Sequence, residues 1–544
     1  MSEAVSEGAP PRNPGHRFAP LAIAVLVFLV YLPDVRNGFV YDDHEVILQQ
    51  APVRSLGQLL HVFAEPHGLP QSNLPYYRPT TRASLLLQKG LHGDEPALFH
   101  LVNALLMSAV AVAAHALLRS PALGLSAAAA AWAATAFALH PIASECVHPI
   151  ASGRESSMPA IFMLASLAAW LRGGTRGRVG STLLFAVALW SKEQAIVVPL
   201  LVALADLLRL APDPPGRRLL RWIARLAPFA IVLAIYLVIR GAVVPQAPDD
   251  GEGLVRLAAH WRAHPFGPLE SLLFLLQSAF APNAALFYEP SFAAWFSPRR
   301  AVIAVLAFAA TLATVFALRP AEQPAPSRAA SLFWVGWLPV AMLLNANLLP
   351  LEALFAERYV FVSSLGVAAL VATAGRRAAA RIGRPHVATA AGVAVLVALA
   401  ATSLHRGSYY RDELAFTRQW VATAPGHANA HASLGAALAR EGRLEDALPP
   451  LREAVRLEPR LAAAHYNLGA TLAELGRRDE AIAAFRETLR QWDGDADAHY
   501  ALGVLLAQRG EVGDAKRELR EAMRLRPGWA EPVAVLRRLE AATP

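Results

Sequence analysis

From Phe18 to Thr402 one apolar stretch follows another, at roughly 18–33, 97–119, 121–141, 156–171, 179–191, 194–208, 222–240, 266–283, 301–318, 331–350, 356–373 and 385–402. A soluble domain cannot bury that many apolar segments, whereas a bilayer accepts each as a helix of about 20 residues. Composition agrees, with a mean hydropathy of +0.35, 55% hydrophobic residues and 17% charged ones in a 544-residue chain. The expected class is all-α, a polytopic membrane helix bundle. Residues 1–17 form a polar tail, and the first run is read as an uncleaved signal anchor because no small-x-small cleavage site follows it.

Charge sets the expected topology. The run 266–283 carries Glu270 and is framed by prolines. If it stays on the outer side, about eleven spans remain and the arginine clusters Arg172/Arg176/Arg178, Arg209/Arg217/Arg218/Arg221/Arg225 and Arg376/Arg377/Arg381/Arg384 all fall inside, as the positive-inside rule requires. The amino terminus is then cytoplasmic and the carboxy-terminal region lies outside the cytoplasm. The net charge is +8, yet from Arg406 onward 20 basic residues balance 20 acidic ones, so the whole excess belongs to the apolar part. It reads as topology, and no nucleic-acid partner is expected. The single cysteine, Cys146, permits no intramolecular disulfide. Lysine occurs only at 89, 192 and 516 while arginine and alanine abound, which fits a GC-rich bacterial genome and an inner-membrane location.

Beyond Leu404 the composition turns charged and the pattern turns periodic. AHASLGAAL, AHYNLGATL and AHYALGVLL begin at Ala430, Ala464 and Ala498, 34 residues apart. Gly442, Gly476 and Gly510 recur in phase, as do Ala447, Ala481 and Ala515, and Pro425, Pro459 and Pro527, with Asp493 replacing the remaining proline. This is the tetratricopeptide (TPR) pattern, which predicts an α-solenoid of two-helix units offering a groove to a partner. The expected division is a bundle over 18–405 and a TPR domain over 406–544. The latter holds a half repeat 408–425, repeats 426–459, 460–493 and 494–527, and a cap 528–544.

Four polar clusters interrupt the apolar part, and the preferred topology puts all four outside. They are YDDHE with PYYRPTTRASLLLQKG and FHLVN; LHPIASECVHPIASGRESS from Leu139; WSKEQAIVVP from Trp190; and NLLPLEALFAERYVFVSSLG from Asn347. Charges at a bilayer boundary are costly unless hydrated, paired or used, so their convergence on one side is informative.

The ordered set of a first-loop acidic pair, YRP, FH..N, HPI..E.V...I.GR, SKEQ, NLLP and ERY, ending in TPR repeats, resembles the transmembrane, TPR-containing protein O-mannosyltransferases and their bacterial relatives. These are GT-C class integral-membrane glycosyltransferases. The chain departs from the pattern at His148-Pro149, where an aromatic residue is expected, and at Glu155, where aspartate is expected. The resemblance implies transfer of a sugar, mannose being one choice, from a polyprenyl-phosphate donor to a hydroxyl, with inversion. It implies a first-loop carboxylate as base, here Asp42 or Asp43, and cations for the leaving phosphate, here Arg78, Arg154, Lys192 and Arg358. His100, His140, Glu145, Glu193 and Glu357 are supporting candidates. No cofactor is implied beyond the lipid-linked donor, and no ligand spacing calls for a metal. Expected partners are the membrane, the donor, and an acceptor protein at the TPR groove.

Structural roles compete for each residue. An Asp-Asp pair after a membrane helix serves as a turn or helix cap. Arg78 can satisfy a loop carbonyl, and Arg154 with Glu155, Lys192 with Glu193 and Glu357 with Arg358 can be neighbouring ion pairs. His100 and His140 fit hydrogen-bonded packing positions, Cys146 a buried structural thiol, and Tyr466 and Tyr500 the TPR core. Two other functions also fit: a membrane-anchored TPR scaffold without catalysis, and a GT-C transferase acting on envelope glycan or lipid.

Overall fold

The computed structural model describes residues 18–65, 76–212, 219–244, 259–262, 265–282, 296–318, 326–345 and 356–542. The tail 1–17, the NLLP segment and the last two residues of the cap lie outside the described residues. The chain divides into two compact units, Met1–Arg411 and Asp412–Pro544.

The first unit contains α1 (Ala19–Tyr31), α2 (Leu56–Ala64), α3 (Pro79–His92), α4 (Pro96–Leu118), α5 (Ala127–Leu139), α6 (Ile150–Arg172), α7 (Gly174–Ser191), α8 (Val198–Leu207), α9 (Leu219–Val243), α10 (Gly267–Phe280), α11 (Pro298–Ala317), α12 (Arg328–Ala341), α13 (Glu357–Ile382) and α14 (Pro385–Gly407). Its core forms where α4 packs on α1, α5 and α6, where α6 packs on α7, and where α13 packs on α5 and α12. Small residues permit the close approach: Ala129, Ala130, Ala133 and Ala134 of α5 are buried. Gly153 of α6 shows the same need, since a Cβ there would sit 2.8 Å from Asn103 Nδ2 and 3.1 Å from the Val147 carbonyl oxygen.

Among the described residues six helical segments are long and apolar enough to cross a membrane, Ala19–Arg36, Pro96–Leu118, Leu219–Val243, Pro298–Ala317, Glu357–Ile382 and Pro385–Tyr410. The apolar runs of the sequence suggest about eleven. The difference has a physical origin: α5, α8 and α12 have 13, 10 and 14 residues, below the span length, and α7, with 18, carries Arg176 and Arg178 near its start. Helix α6 has 23 residues but carries Arg154 and Glu155 near its start.

The second unit comprises α15 (Glu413–Thr423), α16 (Ala428–Arg440), α17 (Leu444–Leu457), α18 (Ala462–Glu474), α19 (Arg478–Gln491), α20 (Ala496–Arg509), α21 (Val512–Leu525) and α22 (Ala530–Ala542). The pairs α16/α17, α18/α19 and α20/α21 are the three repeats, preceded by α15 and followed by α22. Gly442, Gly476 and Gly510 turn between the helices of each pair with φ of +76°, +75° and +86°, which L side chains disfavour. Ala447, Ala481 and Ala515 are fully buried where the helices meet. The histidine of each repeat ties two units together. His431, His465 and His499 donate through Nε2 to the carbonyls of Pro425, Pro459 and Asp493 at 2.9, 3.0 and 3.0 Å. Asp493 can replace proline because the bond uses only its backbone carbonyl.

Candidate functional site

The two adjacent aspartates face different surroundings. Between α1 and α2, Tyr41 adopts a left-handed φ of +49°, a conformation that a side chain occupies at a cost, and it swings the next two residues toward α6. Helix α6 begins after Pro149, which offers no side-chain cap. Asp43 supplies the cap from the distant loop: Oδ1 accepts from the Ala151 N–H at 2.7 Å, and Oδ2 from Val40 and Ile150 at 3.1 and 3.4 Å. Asp43 is 1% exposed, and burial pushes its carboxyl up to about 7 against the pull of those three donors. Asp42 is half-buried, and its Oδ2 accepts from Ser152 Oγ at 3.4 Å. Of the pair, Asp42 is the one with access.

Behind this loop lies a polar brace. His100 donates from Nε2 to the Gly38 carbonyl at 3.2 Å, while its buried Nδ1 has no hydrogen-bond partner among the described residues. Asn103 reaches the Val147, Pro149 and Ile150 carbonyls, and its Oδ1 accepts from Arg154 Nε at 3.2 Å. Arg154, 1% exposed, gives its remaining bonds to the Ser84 and Phe99 carbonyls at 3.4 and 3.5 Å. It joins α3, α4 and α6 from within the bundle, and its donors already face neutral acceptors.

The second cluster sits at the start of α3. Arg78 grips Glu193 through a two-toothed fork, Nε to Oε2 at 3.0 Å and Nη2 to Oε1, and meets Glu155 through Nη1 at 2.5 Å. Its guanidinium carbon lies 4.3 Å from the centroid of the Tyr76 ring. Burial works to lower the guanidinium, but the two carboxylates outweigh it and hold Arg78 well above its ordinary value. Burial likewise works to raise Glu193, yet Arg78 prevails and brings it to about 2. Lys192, next in the chain, is 4% exposed and makes no ion pair or side-chain hydrogen bond among the described residues. Burial, then the neighbouring charge of Arg78, lowers its amine to about 8.

The third cluster joins the 3₁₀ turn Pro141–Cys146 to the start of α13 and the end of α14. Glu145 caps α13 as Asp43 caps α6, its Oε2 accepting from the Arg358 N–H at 3.0 Å with the Arg358 guanidinium 3.7 Å away. Burial raises the Glu145 carboxyl above its ordinary value, opposed by Arg358 and Arg406. Arg406 of α14 donates through Nη1 to Glu357 Oε2 at 2.5 Å and to the Pro141 carbonyl at 2.8 Å, with both side chains buried. His140 accepts at Nδ1 from the Ile142 N–H and donates at Nε2 to the Ala279 carbonyl, so both ring nitrogens are hydrogen-bonded to backbone. His148 stands between the rings of Tyr31 and Tyr410, with Nδ1 2.7 Å from Asp34 Oδ2 and Nε2 3.2 Å from the Ser403 carbonyl. Cys146 is a buried free thiol.

None of the three neighbouring ion pairs forms. Arg154 bonds neutral oxygens, Lys192 has no ion-pair partner among the described residues, and Glu357 turns to Arg406, while Glu155 and Glu193 both serve Arg78. Sequence reasoning does not single out Arg406, Asp34 or Ser403 as site residues. A lone arginine at the end of the last apolar run is the available signal, since such a charge needs a partner. Among the described residues no group of three His, Cys, Asp or Glu side chains is arranged to hold a metal ion.

Comparison with known proteins bears on the second unit. A family model described as tetratricopeptide repeat matches residues 433–496 and 466–528. No curated protein matches the chain. Similar solved structures include MamA 41-end from Desulfovibrio magneticus RS-1, at 20% identity over 24% of this chain and 73% of that one, TM-score 0.23. YrrB, a TPR protein with an unusual peptide-binding site, is 24% identical over 27% and 80%, TM-score 0.23. TTC0263, a thermophilic TPR protein in Thermus thermophilus, is 22% identical over 30% and 96%, TM-score 0.22. The family match, together with the 34-residue period, makes the carboxy-terminal unit a set of TPR repeats.

Proposed function

We propose that the chain is a membrane glycosyltransferase of the GT-C class, resembling the bacterial relatives of the TPR-containing protein O-mannosyltransferases. It moves a sugar, mannose being our first choice, from a polyprenyl phosphate to a hydroxyl acceptor on protein. In this reading the shorter helices complete a bundle of about eleven crossings in a bacterial inner membrane, the charged clusters face outward, and the TPR groove holds the acceptor. The observation that carries the reading is Lys192, a buried ammonium with no ion pair or side-chain hydrogen bond among the described residues, on which Arg78, Glu155, Arg358 and Glu193 act as neighbouring charges. A buried ammonium needs an anion, and the phosphate of a lipid-linked donor lying at the headgroup level is one that fits.

The mechanism follows from the different settings of the aspartates. Asp42 takes the proton from the acceptor hydroxyl as that oxygen bonds the anomeric carbon. The bond from the anomeric carbon to the phosphate oxygen breaks, its electron pair stays on the lipid phosphate, and Lys192 and Arg358 meet the charge that develops. Asp43 holds the start of α6 in place. Arg78 is a brace that fixes Glu155 and Glu193, and Arg154 an internal brace for the acid loop; both are withdrawn from direct phosphate contact in this reading.

The reading is tested by incubating the purified full chain in lipid nanodiscs with a panel of polyprenyl-phosphate sugars and an acceptor-containing periplasmic extract. Release of polyprenyl phosphate from at least one donor is expected; no release from any donor would refute it. A second reading, a membrane-anchored TPR scaffold without catalysis, is favoured by the family match lying wholly within residues 433–528. That reading gains if the chain captures partner proteins while leaving every donor intact.

A further inference from the structure

Two buried carboxylates in the first unit perform the same architectural task, and only one of them is fully satisfied. Asp43 has hydrogen bonds at both oxygens. Glu145, 2% exposed, caps α13 through Oε2, while its Oε1 has no hydrogen-bond partner among the described residues. Capping needs one acceptor oxygen, which a serine, threonine or asparagine would provide. Leaving a second carboxylate oxygen buried and unbonded is destabilising. The adjacent Ser144 is completely buried, and its Oγ also lacks a partner among the described residues.

The surroundings select the kind of ligand. The Arg358 guanidinium 3.7 Å from Glu145 disfavours a cation at this carboxylate. What remains is a neutral hydrogen-bond donor, and hydroxyl groups are donors of that kind. With the Arg358 guanidinium 3.7 Å from Glu145, a phosphate that Arg358 meets in the glycosyl-transfer reading has its sugar in the neighbourhood of this carboxylate.

We infer that Glu145 is a specificity-determining residue whose Oε1 accepts a hydrogen bond from a hydroxyl of the glycosyl group being transferred. The inference rests on the glycosyl-transfer reading and adds to it a residue that distinguishes one sugar from another.

The test uses the full chain in nanodiscs, the best polyprenyl-phosphate hexose of the panel and each monodeoxy analogue of that donor, with kcat/KM read from polyprenyl-phosphate release. Wild type is expected to disfavour one analogue by about 10- to 100-fold, the scale of one charge-assisted hydrogen bond. Glu145→Gln keeps an amide oxygen for the α13 cap and removes the charged acceptor. In this variant the parent donor should fall by a similar factor and the analogue should hold within about threefold, so the preference collapses. A residue that merely caps would change stability and leave the preference intact. The inference is overturned if wild type uses all monodeoxy donors as well as the parent, a result that does not depend on any variant folding, or if Glu145→Gln keeps the full preference. No release from any parent hexose would instead refute glycosyl transfer itself, and the inference with it.

Discussion

The two units use the same ion-pair chemistry in opposite ways. In the TPR unit Arg443–Asp446, Arg456–Glu453, Arg477–Glu480, Arg490–Glu487, Arg517–Asp514 and Arg524–Glu521 are three residues apart in sequence and at the surface, and the pairs between helices, such as Arg509–Asp479 and Arg526–Asp497, join near neighbours in the solenoid, also at its surface. In the first unit Arg78 reaches Glu155 and the partly exposed Glu193, while Arg406 reaches Glu357 and Glu145 reaches the start of α13 away from water, each across elements distant in sequence. Water screens the first kind and leaves it little influence on stability. The second kind has few alternative partners, so it fixes geometry, and breaking one pair strands a charge. The positions of charges therefore carry little functional information in the solenoid and much in the bundle.

The contrast can be broken most severely at Arg406. Arg406→Ala leaves Glu357 buried without its partner and should cost about 3–5 kcal/mol, the range for breaking a buried pair. Thermal unfolding in nanodiscs would detect this, and an unchanged transition would mean that the pair is not buried. The next test concerns Lys192. Its amine, lowered from the ordinary 10.5 to about 8, is charged below that value and neutral above it, so transferase activity should decline as pH rises through about 8. Well above that point the decline should approach tenfold per pH unit. Lys192→Arg, which stays charged, should remove this alkaline limb; an identical profile in both proteins would dissociate Lys192 from catalysis. The smallest effects belong to the solenoid. Gly476→Ala places a Cβ at a φ of +75° and should cost about 1 kcal/mol, whereas Arg456→Ala on its exposed pair should not shift the melting of the TPR unit measurably. A large loss from Arg456→Ala would erase the distinction between the units.

The same distinction explains what can be read from the sequence. The TPR repeats are legible because their contacts are local and recur every 34 residues, so glycine at the turn and alanine at the helix contact appear as a period. In the bundle the residue types stand out, but their pairings do not. Each expected pair joins chain neighbours, while the formed pairs depend on how helices far apart in sequence meet. Asp42 and Asp43 are indistinguishable in sequence because the difference lies in the left-handed Tyr41 and in the uncapped start of α6, over a hundred residues away. Arg406 carries a weak signal, and Asp34 with Ser403 none, since their partner His148 appears only as a departure from a motif. Apolar runs mark helices well but overcount segments long enough to cross a bilayer, because burial inside a bundle and burial in lipid require the same residue types.

The central claim, that the acid loop supplies a base held in place by a helix-capping neighbour, is tested most directly by comparing Asp42→Asn and Asp43→Asn in polyprenyl-phosphate release and in thermal unfolding. The account predicts that Asp42→Asn retains its melting temperature and loses about 100-fold or more in kcat, while Asp43→Asn melts earlier by about 1–2 kcal/mol of stability. Asp42→Asn releasing lipid phosphate at the wild-type rate would contradict it.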